Sequence, residues 1–457
     1  MNKNVKNCIY VDDLVITCAT KTVGESSRYL QDAINQVVKN ASVNGFKLSK
    51  QKTHVMHFCK SHRPHYHPLL FMDNCPLELR TETKFLGLIF DEKLTWKSHI
   101  NGLVLRCKKV LNLIKCLFHT TWGASTEILT QLYKTLVRSK IDYGSVVYST
   151  ACKSTLQLLD RVQNACLRQG LGAFYTSPAT SLCAEAGIEP LKYRRRKLAQ
   201  SYLTSALANP SHIVRETMLS RHMEEHLHMI TNEIPFENPP WLIPETEVIL
   251  DLNKLKRQDT SPEIYQQKFQ KILDQYNEKI VIYTDGSKTQ TGAGCAIITN
   301  GSTFQWTLRH EASAFFTEHF AIWKALSYVI EEYNQSRVLI VSDSLEIVSE
   351  INDIFVHDPL KQKIQTLIRE CSEKGNKLTF VWVPSHTNIL SNTMADETAQ
   401  QAARRDTIDF HYISKYDLKV LLHKRTEREW QDEWAGTSKL CAIKQDPSTP
   451  SLPLALG

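Results

Sequence analysis

Near the start of the chain, apolar residues fall in short runs of strand character. CIYVDDLVITCA, from Cys8 to Ala19, predicts two short strands around a turn at Asp12 and Asp13. Leu30, Ile34, Val37 and Val38 then recur at helical spacing, predicting a helix over about residues 26–44 that Gly45 stops. Two further strand-like runs follow, THVMHF ending at Phe58 and KFLGLIF ending at Phe90, with a histidine-rich loop between them. Residues 98–170 carry a helical pattern in several pieces, broken near Trp122-Gly123 and Tyr143-Gly144. The pattern weakens from Asn209 to about Glu278, where Pro210, Pro235, Pro239, Pro240, Pro244 and Pro262 predict a linker with some helix. Alternation returns at Lys279. IVIYTDGS, GAGCAIIT and STFQWTL are consecutive strand signals, and helix, strand, helix, strand and helix follow to about Arg405. Strands first and alternation afterwards predict a mixed sheet flanked by helices.

At roughly 150 residues per domain, 457 residues make about three globular units. The chain is 42% hydrophobic and 23% charged, which excludes collagen-like, coiled-coil and largely disordered readings. The expected divisions are 1–97, 98–208, 209–278, 279–405 and 406–457. The most apolar helix, from Leu103 to Phe118, carries Arg106, Lys108, Lys109 and Lys115, so no membrane span is expected. The opening MNKNVKNCIY lacks the pattern of a secretory signal, and an intracellular setting, nuclear or cytoplasmic, is the default expectation. No two of the twelve cysteines lie within four positions of each other, so they read as reduced core thiols rather than a zinc ribbon or redox pair. Net charge changes the picture more. The chain totals +7, yet residues 1–205 hold 29 Lys+Arg against 14 Asp+Glu, leaving the remainder at −8. A basic front part is the footprint of a surface that meets phosphates, while an acidic rear repels them unless metal ions intervene.

The rear part has acids at four telling places. Asp285 ends a strand in which Val281, Tyr283 and Asp285 share one face, and Gly286 is expected to turn the chain away. Glu318 falls inside the apolar stripe of Phe315, Ile322, Ala325, Leu326 and Val329, where a lone carboxylate is costly. Asp343 ends RVLIVSDS in the same manner, and Asp396 edges the small-residue face of Ala395, Ala399, Ala402 and Ala403. Four acids from four elements point at one place. The chemistry served by such a set is two-metal phosphodiester hydrolysis, and oxygen-only ligands favour two Mg²⁺ or Mn²⁺ over zinc.

YTDGS, the FFTEHFAIWKAL helix, VSDS, and WVPSH followed by SN and MADETA resemble a type 1 ribonuclease H domain over about residues 279–405. The resemblance implies a mixed five-stranded sheet flanked by helices, and hydrolysis of the RNA strand of RNA–DNA hybrids. It makes Asp285, Glu318, Asp343 and Asp396 the metal-binding acids and His386 the loop histidine that assists proton transfer or product release. Asn392, from the SN pair, is expected to touch nucleic acid. This chain has Asn388 and Ser391 where that family often has glycines, which implies a stiffer loop. Singly, each acid reads as a capped strand end or solvated face, and His386 as an ordinary loop residue.

The front hairpin Tyr10-Val11-Asp12-Asp13 taken alone is a polar turn. NGFKLSKQKTHVMHF and KFLGLIFDEKLTWKSHI resemble, in order and distance, the palm segments of non-LTR retrotransposon reverse transcriptases of the Jockey-like kind. IDYGSVVY, LLDRVQNACLR and AGIEPLKYRRR resemble the thumb and connection of the same polyproteins. The implied class is a multidomain α+β and α/β protein, with a partial palm and helical thumb preceding the nuclease. The resemblance makes Asp12 and Asp13 remnants of a polymerase site and Lys52 a residue that helps protonate pyrophosphate. Polymerisation also needs an aspartate from an earlier palm strand and nucleotide-binding fingers, so the expectation is an incomplete polymerase in a truncated gene.

Arg194, Arg195, Arg196 and Lys197 sit in the basic part and are expected to grip nucleic acid, with no protein partner or membrane anticipated. His62, His65 and His67 lack acidic or thiol companions, and a solvated loop outweighs a metal site. Two functions compete: a metal-dependent ribonuclease on a polymerase remnant, and a non-catalytic nucleic-acid-binding relic. The four intact acids favour the first.

Overall fold

The structure is a computed structural model that describes residues 4–61, 66–119, 122–215, 240–255, 260–353, 358–437 and 444–450. His62 and His65 lie outside the described residues. Two compact units emerge, one made of residues 1–198 with 429–457, the other of residues 199–428.

The first unit opens with an antiparallel hairpin, β1 (Val5–Tyr10) and β2 (Asp13–Cys18), followed by helix α1 (Val23–Val43), which Thr22 caps. Short strands follow: β3 (His54–Val55), β4 (Phe71–Met72), β5 (Cys75–Pro76) and β6 (Glu78–Leu79). Only two residues of the expected run to Phe58 are strand. The run to Phe90 is not one strand but a hairpin, β7 (Glu82–Phe85) and β8 (Leu88–Asp91), because Leu86 and Gly87 take left-handed φ of 46° and 82°. That backbone matches the twist of two-residue hairpins.

Helices α2 (Lys97–Leu117), α3 (Thr126–Leu132), a π-helical turn (Tyr133–Arg138), α4 (Ser139–Asp142), α5 (Ser145–Tyr148), α6 (Lys153–Gly170) and α7 (Ala179–Glu185) come next. Their shared core is built around Ile100, Leu103, Ile141, Tyr148 and Leu159. The helical breaks lie where Trp122-Gly123 and Tyr143-Gly144 predict them. Cysteine burial is mixed: Cys107, Cys166 and Cys183 are core thiols, whereas Cys8, Cys75, Cys116 and Cys152 are exposed.

Helix α8 (Leu191–Ala208) leads into the second unit. Its sheet has six strands rather than five. In spatial order they are β12 (Ser302–Leu308), β11 (Ala293–Thr299), β10 (Lys279–Lys288), β13 (Arg337–Ser342), β14 (Lys377–Trp382) and β9 (Glu247–Ile249). The extra strand comes from the stretch expected to be a linker, and pairs in parallel with Thr379–Val381. Helix α9 (Pro262–Asp274) comes from the same stretch; Pro262 starts it rather than breaking it, since the first helical position needs no N–H.

Strand alternation divides the core. Ile282, Ile340 and Phe380 face α10 (Ala314–Glu332) and α12 (Pro359–Glu373), with α11 (Leu345–Glu350) beside them. Val281, Leu339, Val341 and Val381 face Tyr265 and Phe269 of α9. Helix α13 (Leu390–Ala403) packs on β10 and β11, and α14 (Lys415–Thr437) begins in the stretch expected to be a tail. Among the described residues no helix is long and apolar enough to cross a membrane.

Candidate metal centre

Strand β10 pairs with β13 in parallel only as far as Thr284 opposite Ser342, so Asp285 and Asp343 follow directly where the two strands part. This is the carboxyl end of a parallel pair at the point where the sheet order switches, where open α/β sheets receive ligands. Asp285 is not at a strand end as expected; β10 continues to Lys288 against β11. Gly286 is therefore no turn. A Cβ there would lie 2.4 Å from the Glu318 backbone nitrogen, so glycine lets α10 approach β10 closely enough to deliver Glu318. The Trp382 indole N–H donates to the Asp343 carbonyl at 2.9 Å and holds the chain as it leaves β13.

Carboxylate oxygens of Asp285, Glu318 and Asp343 all lie within 4.8 Å of one another. Asp285 is 4% exposed. Burial, reinforced by Asp343 and Asp396, pushes its carboxyl up to about 8. Burial also raises Glu318, with the Asp285 charge adding to it, and raises Asp343, with the Asp396 charge adding to it. Glu318 Oε2 is enclosed and has no hydrogen-bond partner among the described residues. Oxygen donors only, mutual repulsion and an orphaned buried oxygen suit a hard divalent cation.

Asp396 lies outside this group of three, its Oδ1 accepting from Gln400 Nε2 at 2.8 Å, yet its charge bears on all three. His386 is exposed, in the loop between β14 and α13, near enough to Asp343 to counter its rise. His386 and Asn388 both take left-handed φ, 58° and 52°. Asn392 is buried with its Oδ1 enclosed, rather than presented at the surface.

The front residues are arranged differently. Asp12 and Asp13 stand exposed at the hairpin tip beside Val11, whose φ is 55°, and Lys52 is exposed in a turn. Among the described residues no third ligand joins the hairpin acids. The basic run is bound up with carboxylates of its own unit. Arg194 reaches Asp142 at 2.8 Å, Lys197 reaches Glu189 at 2.8 Å, Arg195 lies 3.7 Å from Asp160, and Arg196 pairs with Glu429. Sequence reasoning passed over these partners, and also Trp382 and Gln400, because the contacts are set by packing between separate elements.

Residues 277–404 match the RNase H family model. Over 210 residues the chain is 22% identical to the RNA-directed DNA polymerase from mobile element jockey of Drosophila melanogaster, an alignment covering 45% of this chain and 22% of that protein. Over 132 residues it is 31% identical to the Pol polyprotein of equine infectious anemia virus (strain Wyoming), covering 28% of this chain and 11% of the other. The solved structure of LC11-RNase H1, isolated from compost, aligns at 25% identity over 28% of this chain and 96% of its own, with a TM-score of 0.23. The chain spans less than a quarter of the length of these curated relatives. Its rear part is an RNase H domain, and its front part is homologous to the RNA-directed DNA polymerases of jockey and other non-LTR retrotransposons.

Proposed function

We propose that the rear unit hydrolyses the RNA strand of RNA–DNA hybrids with divalent metal ions, Mg²⁺ or Mn²⁺, held by Asp285, Glu318 and Asp343 with Asp396 at the rim. The observation that carries this reading is the convergence of three carboxylates, Asp285 buried and Glu318 and Asp343 half-buried, inside the RNase H match. Bound there, the cations supply Lewis-acid stabilisation of phosphoryl charge. The chain's own residues do the rest. Asp285 and Asp343 fix the site at the sheet rim, Glu318 closes it from α10, and His386 moves a proton at the open side.

The front unit binds nucleic acid through its charge. The exposed face of α2 offers Arg106, Lys108 and Lys109, which form no ion pair among the described residues, whereas the run from Arg194 to Lys197 is largely neutralised. The two hairpin acids are exposed and have no third ligand beside them among the described residues, and primer extension by this chain is not expected.

The test uses the full chain and a labelled RNA strand annealed to DNA, with RNA duplex and DNA duplex as controls. Cleavage of the hybrid alone, requiring divalent metal and lost in Asp343→Asn, is expected. A folded chain that binds hybrid yet cuts no better than Asp343→Asn overturns the enzyme reading and leaves a nucleic-acid-binding relic.

A further inference from the structure

The loop from Val383 to Ile389 carries His386 between β14 and α13, and its backbone is under tension. His386 and Asn388 are both left-handed, a conformation uncommon for residues other than glycine, although Asn and His adopt it more readily than most. Such a loop keeps one shape only if its surroundings hold it. Part of the hold is internal: Thr387 is buried and its Oγ1 donates to Pro384 O at 2.8 Å, while Ile389 is buried among Val381, Val383, Tyr265 and Phe269. The rest comes from outside. Gln266, on α9, donates through Nε2 to Asn388 O at 2.8 Å and to Thr387 O at 3.3 Å. Two carbonyl oxygens side by side accept only from a donor, which fixes the orientation of the amide.

We propose that Gln266 is a positioning residue for His386, fastening the two carbonyls that follow it so that the imidazole faces the acid cluster in one place. Gln266 lies outside residues 277–404, so the helix supplying it is a functional part of the nuclease rather than a connector. The inference rests on the hydrolase reading above. Its energetic logic is that a proton-transfer group misplaced by an ångström loses rate without losing substrate.

Full chain carrying Gln266→Leu keeps the side chain's size and removes both hydrogen bonds. Expected are a fall in kcat of about tenfold with KM for hybrid little changed, and faster amide exchange confined to residues 385–389 while β10 is unaffected. Gln266→Glu, which sets a carboxylate against two carbonyl oxygens, is expected to fall further. In a His386→Ala background Gln266→Leu should cost nothing more, since the two act as a unit. Unchanged kcat and exchange in a cutting chain overturn the clamp, and so does an undiminished loss in the His386→Ala background, which marks a merely structural role. A wild-type chain that cuts no hybrid overturns the hydrolase reading, and with it any catalytic consequence of the clamp, even where loop exchange responds to Gln266→Leu.

Discussion

Replacing Asp285 by asparagine should abolish catalysis and, without metal, make the rear unit more stable. The carboxyl rises from its ordinary 3.8 to about 8 on folding because it is buried against two other acids. A carboxyl raised in the folded state binds its proton more tightly there than in the unfolded chain. The corresponding stability is fully present below about pH 4 and is lost progressively as pH climbs to about 8. At 1.36 kcal/mol per tenfold change in proton affinity, the loss is on the order of 5 kcal/mol. Asparagine keeps the shape, never ionises, and gives up about 1 kcal/mol of hydrogen bonding. In chelator at pH 8.5, Asp285→Asn should therefore exceed wild type by roughly 2–4 kcal/mol, or about 5–15 °C in Tm for a unit of this size. Near pH 5 the two should converge. Magnesium should stabilise wild type by RT ln(1 + [L]/Kd), about 2.7 kcal/mol at a hundredfold excess over Kd, and the variant by much less. Thermal melts of the full chain across pH, with chelator and with magnesium, provide the measurement. An asparagine variant no more stable than wild type at pH 8.5 in chelator would refute the argument that these carboxylates repel one another.

Gly286→Ala places a Cβ 2.4 Å from the Glu318 backbone nitrogen, so α10 must move; a loss of about 1–3 kcal/mol in urea unfolding is expected, together with weaker magnesium stabilisation. Glu189 is buried and faces Arg138 at 2.7 Å and Lys197 at 2.8 Å, so Glu189→Gln should destabilise the front unit by about 3–5 kcal/mol in denaturant titration while leaving hybrid cleavage intact. A chain shortened to 277–428 loses Tyr265, Phe269 and Ile272 from the core, each worth roughly 1.5–3 kcal/mol, and should melt well below one spanning 240–428. Equal melting of the two would show that β9 and α9 are dispensable.

What the chain announces and what it conceals differ for a physical reason. Asp285 and Asp343 come one residue after runs of buried, largely β-branched residues, and the parallel pairing those runs form ends just before both of them, although β10 itself runs on against β11. Glu318 stands out because a carboxylate interrupts an apolar helical stripe. β9 has only three residues, too few for alternation to show, and it is a strand because β14 offers an open edge. The prolines on either side of it read as breakers, yet Pro262 begins a helix. Gly286 gave the right residue for the wrong reason, as glycine serves close approach as well as turns. Gln266 and the carbonyls it holds are more than 120 residues apart, a pairing that no local pattern encodes.

The two units treat buried acid in opposite ways, and the contrast bears on what the rear site awaits. Glu189 in the front unit is met by Arg138 and Lys197, with Arg194 at 3.9 Å, so its charge is satisfied within the chain. Burying a carboxylate is tolerable on those terms. Around Asp285, Glu318 and Asp343 no lysine or arginine forms an ion pair among the described residues, and the neighbours that act on Asp285 are themselves acids. Simple stability would favour a basic side chain or an apolar one at such a place. A fold that keeps three carboxylates together, brings α10 within a glycine's width to add the third, and leaves Glu318 Oε2 without a donor among the described residues suits the proposed positive charge from solution. That charge would also let the acidic rear part of the chain, a net −8 over residues 206–457, accept a phosphate backbone, because the cations reverse the local field at the one point where the polyanion must enter.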